Sequence, residues 1–168
     1  MYAELENCHW FALRVRPNHE RSVNTGLGQR GIESFLPTYK ERRSWSDRIR
    51  TIELPLFAGY VFCRTEMHRR LPVVTTPGVL DVVGCGKTPT PIPADEISTI
   101  RSLVDNRLTA SPWPFLKVGE RVQIKDGPLS GVEGVLVEFK GGYRLVVSIS
   151  LLQRSVSVEL DGAWVRRI

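Results

Sequence analysis

A dense cluster of positive charge lies between residues 40 and 50 of the chain. Its members are Lys40, Arg42, Arg43, Arg48 and Arg50, opposed within that window only by Glu41 and Asp47. Guanidinium and ammonium groups can bind nucleic-acid phosphates, and each phosphate neutralised on duplex DNA adds about 0.9 to the logarithmic salt slope. A solvated hairpin of mixed charge would show the same pattern. Charge alone therefore leaves both interpretations open.

Catalytic chemistry finds little support. The three histidines have no neighbouring serine or cysteine in a nucleophile arrangement, and no His-Glu-x-x-His pair occurs. The segment 84–87 (GCGK) is too short for a phosphate-binding P-loop. Cys8, Cys63 and Cys85 lie far apart without a Cys-x-x-Cys pair, which argues against a disulfide framework or a zinc site. We expect no enzymatic activity, no cofactor and no metal.

The composition is that of an ordinary globular chain. Of the 168 residues, 42% are apolar and 24% charged, and the formal net charge is +5. This length suggests one or two domains. No stretch approaches the ~18 apolar residues of a membrane span, and the N-terminal segment lacks the basic-then-apolar order of a secretory signal. The expectation is a cytosolic protein without membrane contact.

The first part of the chain alternates strand and helix patterns. Residues 10–15 form an alternating strand, with Phe11, Leu13 and Val15 on one face. A helix is predicted from Pro17 to Gly31, and residues 32–36 read as a second strand. Residues 38–54 then predict a protruding hairpin around Ser46 and Asp47, which would carry the basic cluster.

Three further elements complete this domain. The run LFAGYVFC at residues 56–63 predicts a central strand covered on both faces. Residues 79–83 form another short strand, and residues 94–108 a helix with acidic residues in its first turn. The order predicts an antiparallel sheet backed by two helices.

Residues 108–116, LTASPWPFL, contain two prolines and read as a linker to a second domain. Beyond it, GERVQIKDGPLSGVEGVLV at residues 119–137 predicts a tight, curved hairpin with Val122 and Ile124 on one face. Residues 145–149 and 155–160 predict later strands of a five-stranded barrel.

This hairpin resembles the KOW motif of NusG-like transcription factors and of several ribosomal proteins. The first strand, Gly31-Ile32 before Phe35-Leu36-Pro37, residues 56–62 and Thr76-Pro77-Gly78-Val79 resemble the NusG N-terminal domain. The tip Trp45-Ser46-Asp47-Arg48 is especially similar to the RfaH-like and UpxY-like paralogues. The resemblance implies an α+β fold: a NusG-like N-terminal domain at residues 1–107, a linker at 108–115 and an SH3-like KOW β-barrel at 116–168.

The resemblance also implies a function in transcription elongation and antitermination. In the family, a hydrophobic depression of the N-terminal domain docks on the clamp helices of RNA polymerase. Carried over by position, the candidates for that depression are Trp10, Phe11, Leu56, Phe57 and Tyr60, with Phe57 as the anchor. Aromatic residues in a strand are otherwise more often core.

The resemblance implies a bacterial factor with two further contacts. Lys40, Arg42, Arg43, Arg48 and Arg50 would face upstream or non-template DNA of the transcription bubble, and Trp45 would either stack on an unpaired base or pack on the hairpin. Leu152 and Arg154 would contact a small-subunit ribosomal protein or another antitermination factor, or else form a barrel rim packed against the linker. A monomer is expected. The alternative is a ribosome-associated or RNA-binding KOW protein.

Overall fold

The computed structural model describes residues 7–106, 108–113, 119–139 and 142–168. The chain divides into two compact units. The first consists of Met1–Leu36 and Phe57–Ile97, and the second of Pro37–Leu56 and Ser98–Ile168. The domain boundaries at residues 107 and 116 stay a prediction.

The elements of the first 105 residues, in chain order, are β1 (His9–Val15), α1 (Glu20–Gln29), β2 (Glu33–Phe35), β3 (Thr38–Trp45), β4 (Arg48–Pro55), β5 (Tyr60–Thr65), α2 (Leu71–Val74), β6 (Val79–Val82), β7 (Gly84–Cys85), β8 (Thr88–Pro89) and α3 (Ala94–Asp105). The remaining elements are β9 (Ala110–Trp113), β10 (Glu120–Ile124), β11 (Glu133–Phe139), β12 (Gly142–Ile149), β13 (Arg154–Leu160) and β14 (Val165–Arg167). Single 3₁₀ turns follow β5, β12 and β13. The predicted α+β fold with antiparallel sheets is confirmed.

The first unit is built on a four-stranded antiparallel sheet of order β2-β5-β1-β6. Because strand residues alternate between faces, β1 and β5 direct one set of apolar side chains towards α1. These side chains form a core with the buried face of α1 and with α2, made of Phe11, Leu13, Val15, Val23, Leu27, Val61, Cys63 and Val73. The helix begins at Glu20 rather than at Pro17, since Asn18 has a φ of +63° and takes part in the preceding turn.

The predicted central strand at residues 56–63 begins only at Tyr60. Residues 56–59 form a turn instead, in which Gly59 has a φ of +86° that a residue with a side chain rarely adopts. The Tyr60 N–H donates to the Phe57 carbonyl at 3.1 Å and closes this turn. Leu56, Phe57 and residues 61–63 are buried as predicted, but Ala58 is exposed, and half of the run is turn and not strand.

Strands β3 and β4 pair alone as the predicted hairpin. Their register runs from Thr38 opposite Pro55 to Trp45 opposite Arg48, so Ser46 and Asp47 form a two-residue turn. At the base, the Leu56 N–H donates to the Pro37 carbonyl at 2.9 Å.

The second unit also contains a six-stranded antiparallel sheet of order β14-β10-β11-β12-β13-β9. Five of its strands, β10 to β14, correspond to the expected KOW barrel, and Val122 and Ile124 are buried on one face as predicted. Gly134 lies so close to β12 that a Cβ there would sit 2.6 Å from the Val146 carbonyl oxygen. The glycine-rich hairpin is therefore needed where two backbones approach closely.

The sixth strand, β9, corrects the expectation of an extended linker at residues 108–116. Ala110–Trp113 pairs with β13, with Pro112 opposite Val156. A proline has no N–H to donate, but an edge strand tolerates it because only one side of the strand is paired. Residues 114–116 of the predicted linker lie outside the described residues. The predicted helix at residues 94–108 ends at Asp105.

Candidate binding surfaces

The β3–β4 hairpin carries its charges on two different faces. Residues directly opposite one another in an antiparallel pair point to the same side. Arg43 opposite Arg50 and Trp45 opposite Arg48 therefore share one side, which we call the tryptophan face; it consists of Glu41, Arg43, Trp45, Arg48, Arg50 and Ile52. The other side, the isoleucine face, consists of Lys40, Arg42, Ser44, Ile49, Thr51 and Glu53. The predicted cluster is thus divided between the faces. Arg43, Arg48 and Arg50 lie on the tryptophan face, and Lys40 and Arg42 lie on the isoleucine face.

The hairpin tip is open to solvent. Trp45 is 59% exposed and Ile49 is 63% exposed, one on each face. All five basic residues of the cluster are exposed. The exposed part of Trp45 is accessible to a ligand, and both stacking on an unpaired base and packing on the hairpin stay predictions.

Acidic neighbours neutralise part of the positive charge. The Arg43 guanidinium lies 3.2 Å from Glu41, and Arg48 lies 3.8 Å from Asp47. Among the described residues no carboxylate pairs with Arg42 or Arg50 within 4.0 Å. Nearer the base, burial raises the pKa of Tyr39, and the Glu41 carboxylate adds to the rise. Of the four arginines, those without a carboxylate paired within the described residues are therefore Arg42 and Arg50, one on each face.

Five aromatic residues of the first unit lie together on the side of the sheet opposite α1. Register places Trp10 opposite Arg64 and Phe62 opposite Ala12, on the side away from the core. We call Trp10, Phe35, Phe57, Tyr60 and Phe62 the aromatic face. Phe57 meets Phe62 edge to face at 5.5 Å, and Phe35 lies 6.3 Å from Phe62, measured between ring centroids.

Phe11 does not belong to this face. It pairs with Cys63 and lies in the core beneath α1, so the predicted depression cannot contain both Trp10 and Phe11. Strand alternation alone separates the two residues. The same alternation identifies Phe62, which sequence reasoning missed, two residues after Tyr60.

The aromatic face is closed in this structure. Trp10 is 8% exposed and Phe57 is 2% exposed, while Tyr60 is partly exposed. Leu56, which belongs to the second unit, is also buried. The open hollow expected from sequence is therefore not seen among the described residues.

The two candidate residues of the second unit differ in exposure. Leu152 ends the 3₁₀ turn after β12 and is buried, whereas Arg154 begins β13 and is exposed. Leu152 is thus little accessible in this structure, and its contact with a partner stays a prediction. Its neighbour Leu151 is partly exposed.

Groups that could support other chemistry are sparse. Across the described residues, no three His, Cys, Asp or Glu side chains come together as metal ligands. Burial raises the pKa of the Cys63 thiol to about 12. No helix in the described part of the chain has the length and apolar character to cross a membrane.

Comparison with known proteins gives consistent matches. A family model described as "Transcription termination factor nusG" matches residues 8–101. The transcription termination/antitermination protein NusG of Lactococcus lactis subsp. lactis (strain IL1403) is 30% identical over 167 residues, covering 90% of this chain and 89% of the relative. The protein of the same name from Pseudomonas aeruginosa (strain PAO1) is 27% identical over 173 residues, covering 95% and 98%.

A solved structure, "Domain interaction in Thermotoga maritima NusG", has a similar fold. Its TM-score is 0.60 at 22% identity, and the match covers 98% of this chain and 99% of that chain. At this identity the similarity concerns the fold.

Proposed function

The chain belongs to the NusG family of transcription termination and antitermination factors, and from that premise we propose that it binds the clamp helices of RNA polymerase through the aromatic face. Phe57 is the proposed anchor, with Trp10 and Tyr60 beside it. The matched residues 8–101 include the whole sheet of the first unit.

One observation carries this proposal: the sheet of the first unit has apolar side chains on both faces. One face forms the core with α1, while the other carries aromatic rings, of which Trp10 and Phe57 are buried here. Large rings that leave water supply much of the binding free energy at protein interfaces, and Trp and Tyr are enriched among the residues that dominate it. The aromatic face is therefore the surface of this unit best suited to a helical partner.

The test must avoid variants that simply unfold. Because Phe57 is 2% exposed, a carboxylate there would be buried without a partner and would destabilise the fold. Tyr60→Glu places the charge at a partly exposed position of the same face. Thr25→Glu, on the exposed surface of α1, adds the same charge elsewhere.

Capture of purified RNA polymerase measures the effect. We expect Tyr60→Glu to reduce recovery of polymerase strongly while Thr25→Glu leaves it unchanged, with both proteins folded by circular dichroism. Phe57→Leu keeps an apolar side chain but removes the ring against Phe62, and we expect it to weaken capture as well. Equal capture by wild type and both aromatic variants would contradict the proposal.

We further propose that the β3–β4 hairpin contacts upstream or non-template DNA of the transcription bubble. The exposed guanidinium groups of Arg42, Arg43, Arg48 and Arg50, with Lys40, support this contact. Phosphate contacts position a protein without reading bases, so they weaken as salt rises. Cross-linking from the hairpin in a reconstituted elongation complex tests the placement, and cross-links confined to protein would contradict it.

For the second unit we propose a small-subunit ribosomal protein, or another antitermination factor, as the partner. The exposed Arg154 supports a polar contact at the start of β13, and the buried Leu152 lies two residues before it. Arg154→Glu should reduce capture of the ribosomal protein, and Lys125→Glu, at an exposed position directly after β10, is the charge-matched control. Equal recovery by the two variants would argue against Arg154.

Pull-down also separates this proposal from the alternative of a ribosome-associated or RNA-binding KOW protein. Recovery of RNA polymerase favours the transcription factor, and recovery of ribosomes without polymerase favours the alternative. The proposed place of action is the bacterial cytoplasm, where polymerase and ribosomes meet, and the proposed form is a monomer.

A further inference from the structure

The two faces of the β3–β4 hairpin differ in the chemistry that they offer to a ligand. On the tryptophan face, the exposed indole of Trp45 lies opposite Arg48 at the tip. Two residues back on each strand, about 7 Å away at ~3.4 Å per residue, Arg43 and Arg50 lie opposite one another. An aromatic ring and three guanidinium groups therefore share one short surface.

The isoleucine face lacks this combination. Its tip carries Ser44 and the exposed Ile49, and its cations Lys40 and Arg42 share the face with Glu53. An aliphatic side chain has no π-face on which a base can stack. The two faces thus provide an internal comparison within one hairpin.

The tryptophan face is also bounded. One step below Arg43 lies Glu41, whose carboxylate is 3.2 Å from the Arg43 guanidinium. A carboxylate at this position repels a phosphate that extends further towards the hairpin base. The favourable surface therefore covers the tip and one further pair of residues, a length suited to one or two nucleotides.

We propose that the tryptophan face binds a short stretch of single-stranded DNA, with a base stacked on Trp45 and the adjoining phosphates held by Arg43, Arg48 and Arg50, and that the isoleucine face contributes little. This inference rests on the proposed contact with the transcription bubble and specifies the strand and the face. The stacking requires an unpaired base, because in a duplex the faces of the bases are covered by their neighbours. Backbone cations combined with an aromatic platform are the usual means of binding single strands.

Fluorescence anisotropy with a labelled single-stranded oligodeoxynucleotide and its blunt duplex tests the inference on the full chain. Trp45→Ala is compared with Ile49→Ala, since both remove an exposed apolar side chain at the tip. Removal of one stacking platform should weaken single-strand binding about 5- to 150-fold. We expect no such loss for Ile49→Ala and little effect of either variant on duplex binding.

A second pair of variants is matched in charge. Arg43→Gln with Arg50→Gln, and Lys40→Gln with Arg42→Gln, each remove two positive charges, but from opposite faces. The first pair should flatten the logarithmic salt slope for single strands by about 1.4, at ~0.7 per phosphate, and the second should leave it nearly unchanged. Glu41→Gln should strengthen binding.

The outcomes separate this inference from the proposed function. Equal losses from both faces, an unchanged affinity for Trp45→Ala, or failure of the wild type to prefer single strand over duplex would each overturn the inference. The same variants are assayed for capture of RNA polymerase. Retained capture with no difference between the faces would refute the inference alone, whereas wild-type single-strand binding without capture would refute the proposed polymerase contact alone.

Discussion

Glu20 and Gly59 are joined by a hydrogen bond across 39 positions of the sequence, in which the Gly59 N–H donates to Glu20 Oε1 at 2.9 Å. The carboxylate is buried in the first turn of α1, where the helix dipole favours negative charge. The Gly59 carbonyl accepts from the Val15 N–H, also at 2.9 Å. The turn that carries Phe57 is thus fixed to both the helix and β1.

We predict that Glu20→Ala lowers the free energy of unfolding by about 1.5–3 kcal/mol, the range for a hydrogen bond to a charged group. The Gly59 N–H would lose its acceptor, so its amide should also exchange faster with solvent. Glu20→Gln keeps an acceptor oxygen and should lose less. Urea unfolding and hydrogen exchange measure the two effects.

Glu33→Gln serves as the control for this prediction. Glu33 is exposed and pairs with Arg64 only at 3.8 Å, so its loss should change stability little. Similar losses for Glu20→Ala and Glu33→Gln would show that the turn does not depend on the buried carboxylate.

The sequence predicts elements well where periodicity is clean and less well where backbone conformation decides. The hairpin at residues 38–54 and strands such as β1 follow from alternation. The apolar run 56–63 hides a turn, because a positive φ at Gly59 leaves no trace in hydrophobicity. The two prolines near Trp113 suggest a linker, yet an edge strand accepts Pro112 because it pairs on one side only.

The candidate site shows a similar division. Basic residues on a hairpin are predictable as exposed, because charged groups are rarely buried. Strand alternation also predicts that Trp10 and Phe11 lie on opposite faces of the sheet, although the family resemblance assigned both to one binding depression. The closure of Trp10 and Phe57 was not predictable, since aromatic rings suit an interior and an interface equally well. Only coordinates distinguish the two cases.

Two glycines within α1 allow a stability test of helix propensity. A Cβ at Gly28 would meet nothing within 4 Å, whereas one at Gly26 would lie 3.1 Å from Thr76 Cγ2. Gly28→Ala should therefore raise the free energy of unfolding by about 0.5–1 kcal/mol. Gly26→Ala should raise the free energy of unfolding by less, because the Thr76 side chain must move to make room for the new methyl group. Urea titration of both variants tests the order, and a larger gain at Gly26 would contradict it.

The buried thiol of Cys63 predicts a loss of stability at high pH. Burial raises its pKa from 9.0 to about 12. As pH rises, the thiol of the unfolded chain loses its proton before that of the folded chain. The contribution of the buried thiol to the free energy of unfolding is therefore complete below pH 9 and is lost between pH 9 and about 12. Cys63→Val removes the titrating group, so its stability should fall less steeply than that of the wild type over this range. Identical slopes in urea titrations would contradict the assignment.

Thiol labelling tests the same burial independently. N-ethylmaleimide should modify the exposed Cys85 rapidly in the folded protein and Cys63 only when the core opens. Mass spectrometry of the digested protein follows the two sites separately. Equal labelling rates without denaturant would show that Cys63 is accessible.

Arg144 stacks on Trp113 of β9, which also pairs with β13, and this contact predicts a specific sensitivity. Its guanidinium carbon lies 5.3 Å from the ring centroid of Trp113, and its terminal nitrogens reach Ser157 Oγ at 3.2 Å and Glu159 at 2.8 Å. A lysine ammonium cannot stack as a plane and donate a fork of hydrogen bonds at the same time. Arg144→Lys should therefore loosen β9 although the charge is kept.

Hydrogen exchange at the Ser111 and Trp113 amides measures this loosening, since Pro112 has no amide hydrogen. We expect faster exchange there in Arg144→Lys. Arg121→Lys is the matched control, because the exposed Arg121 reaches Glu133 only at 3.6 Å. Stacking at a partly exposed site is worth about 0.5–1 kcal/mol, so the rise should be severalfold if β9 detaches locally. Equal exchange in both variants would mean that backbone pairing with β13 alone holds β9 in place.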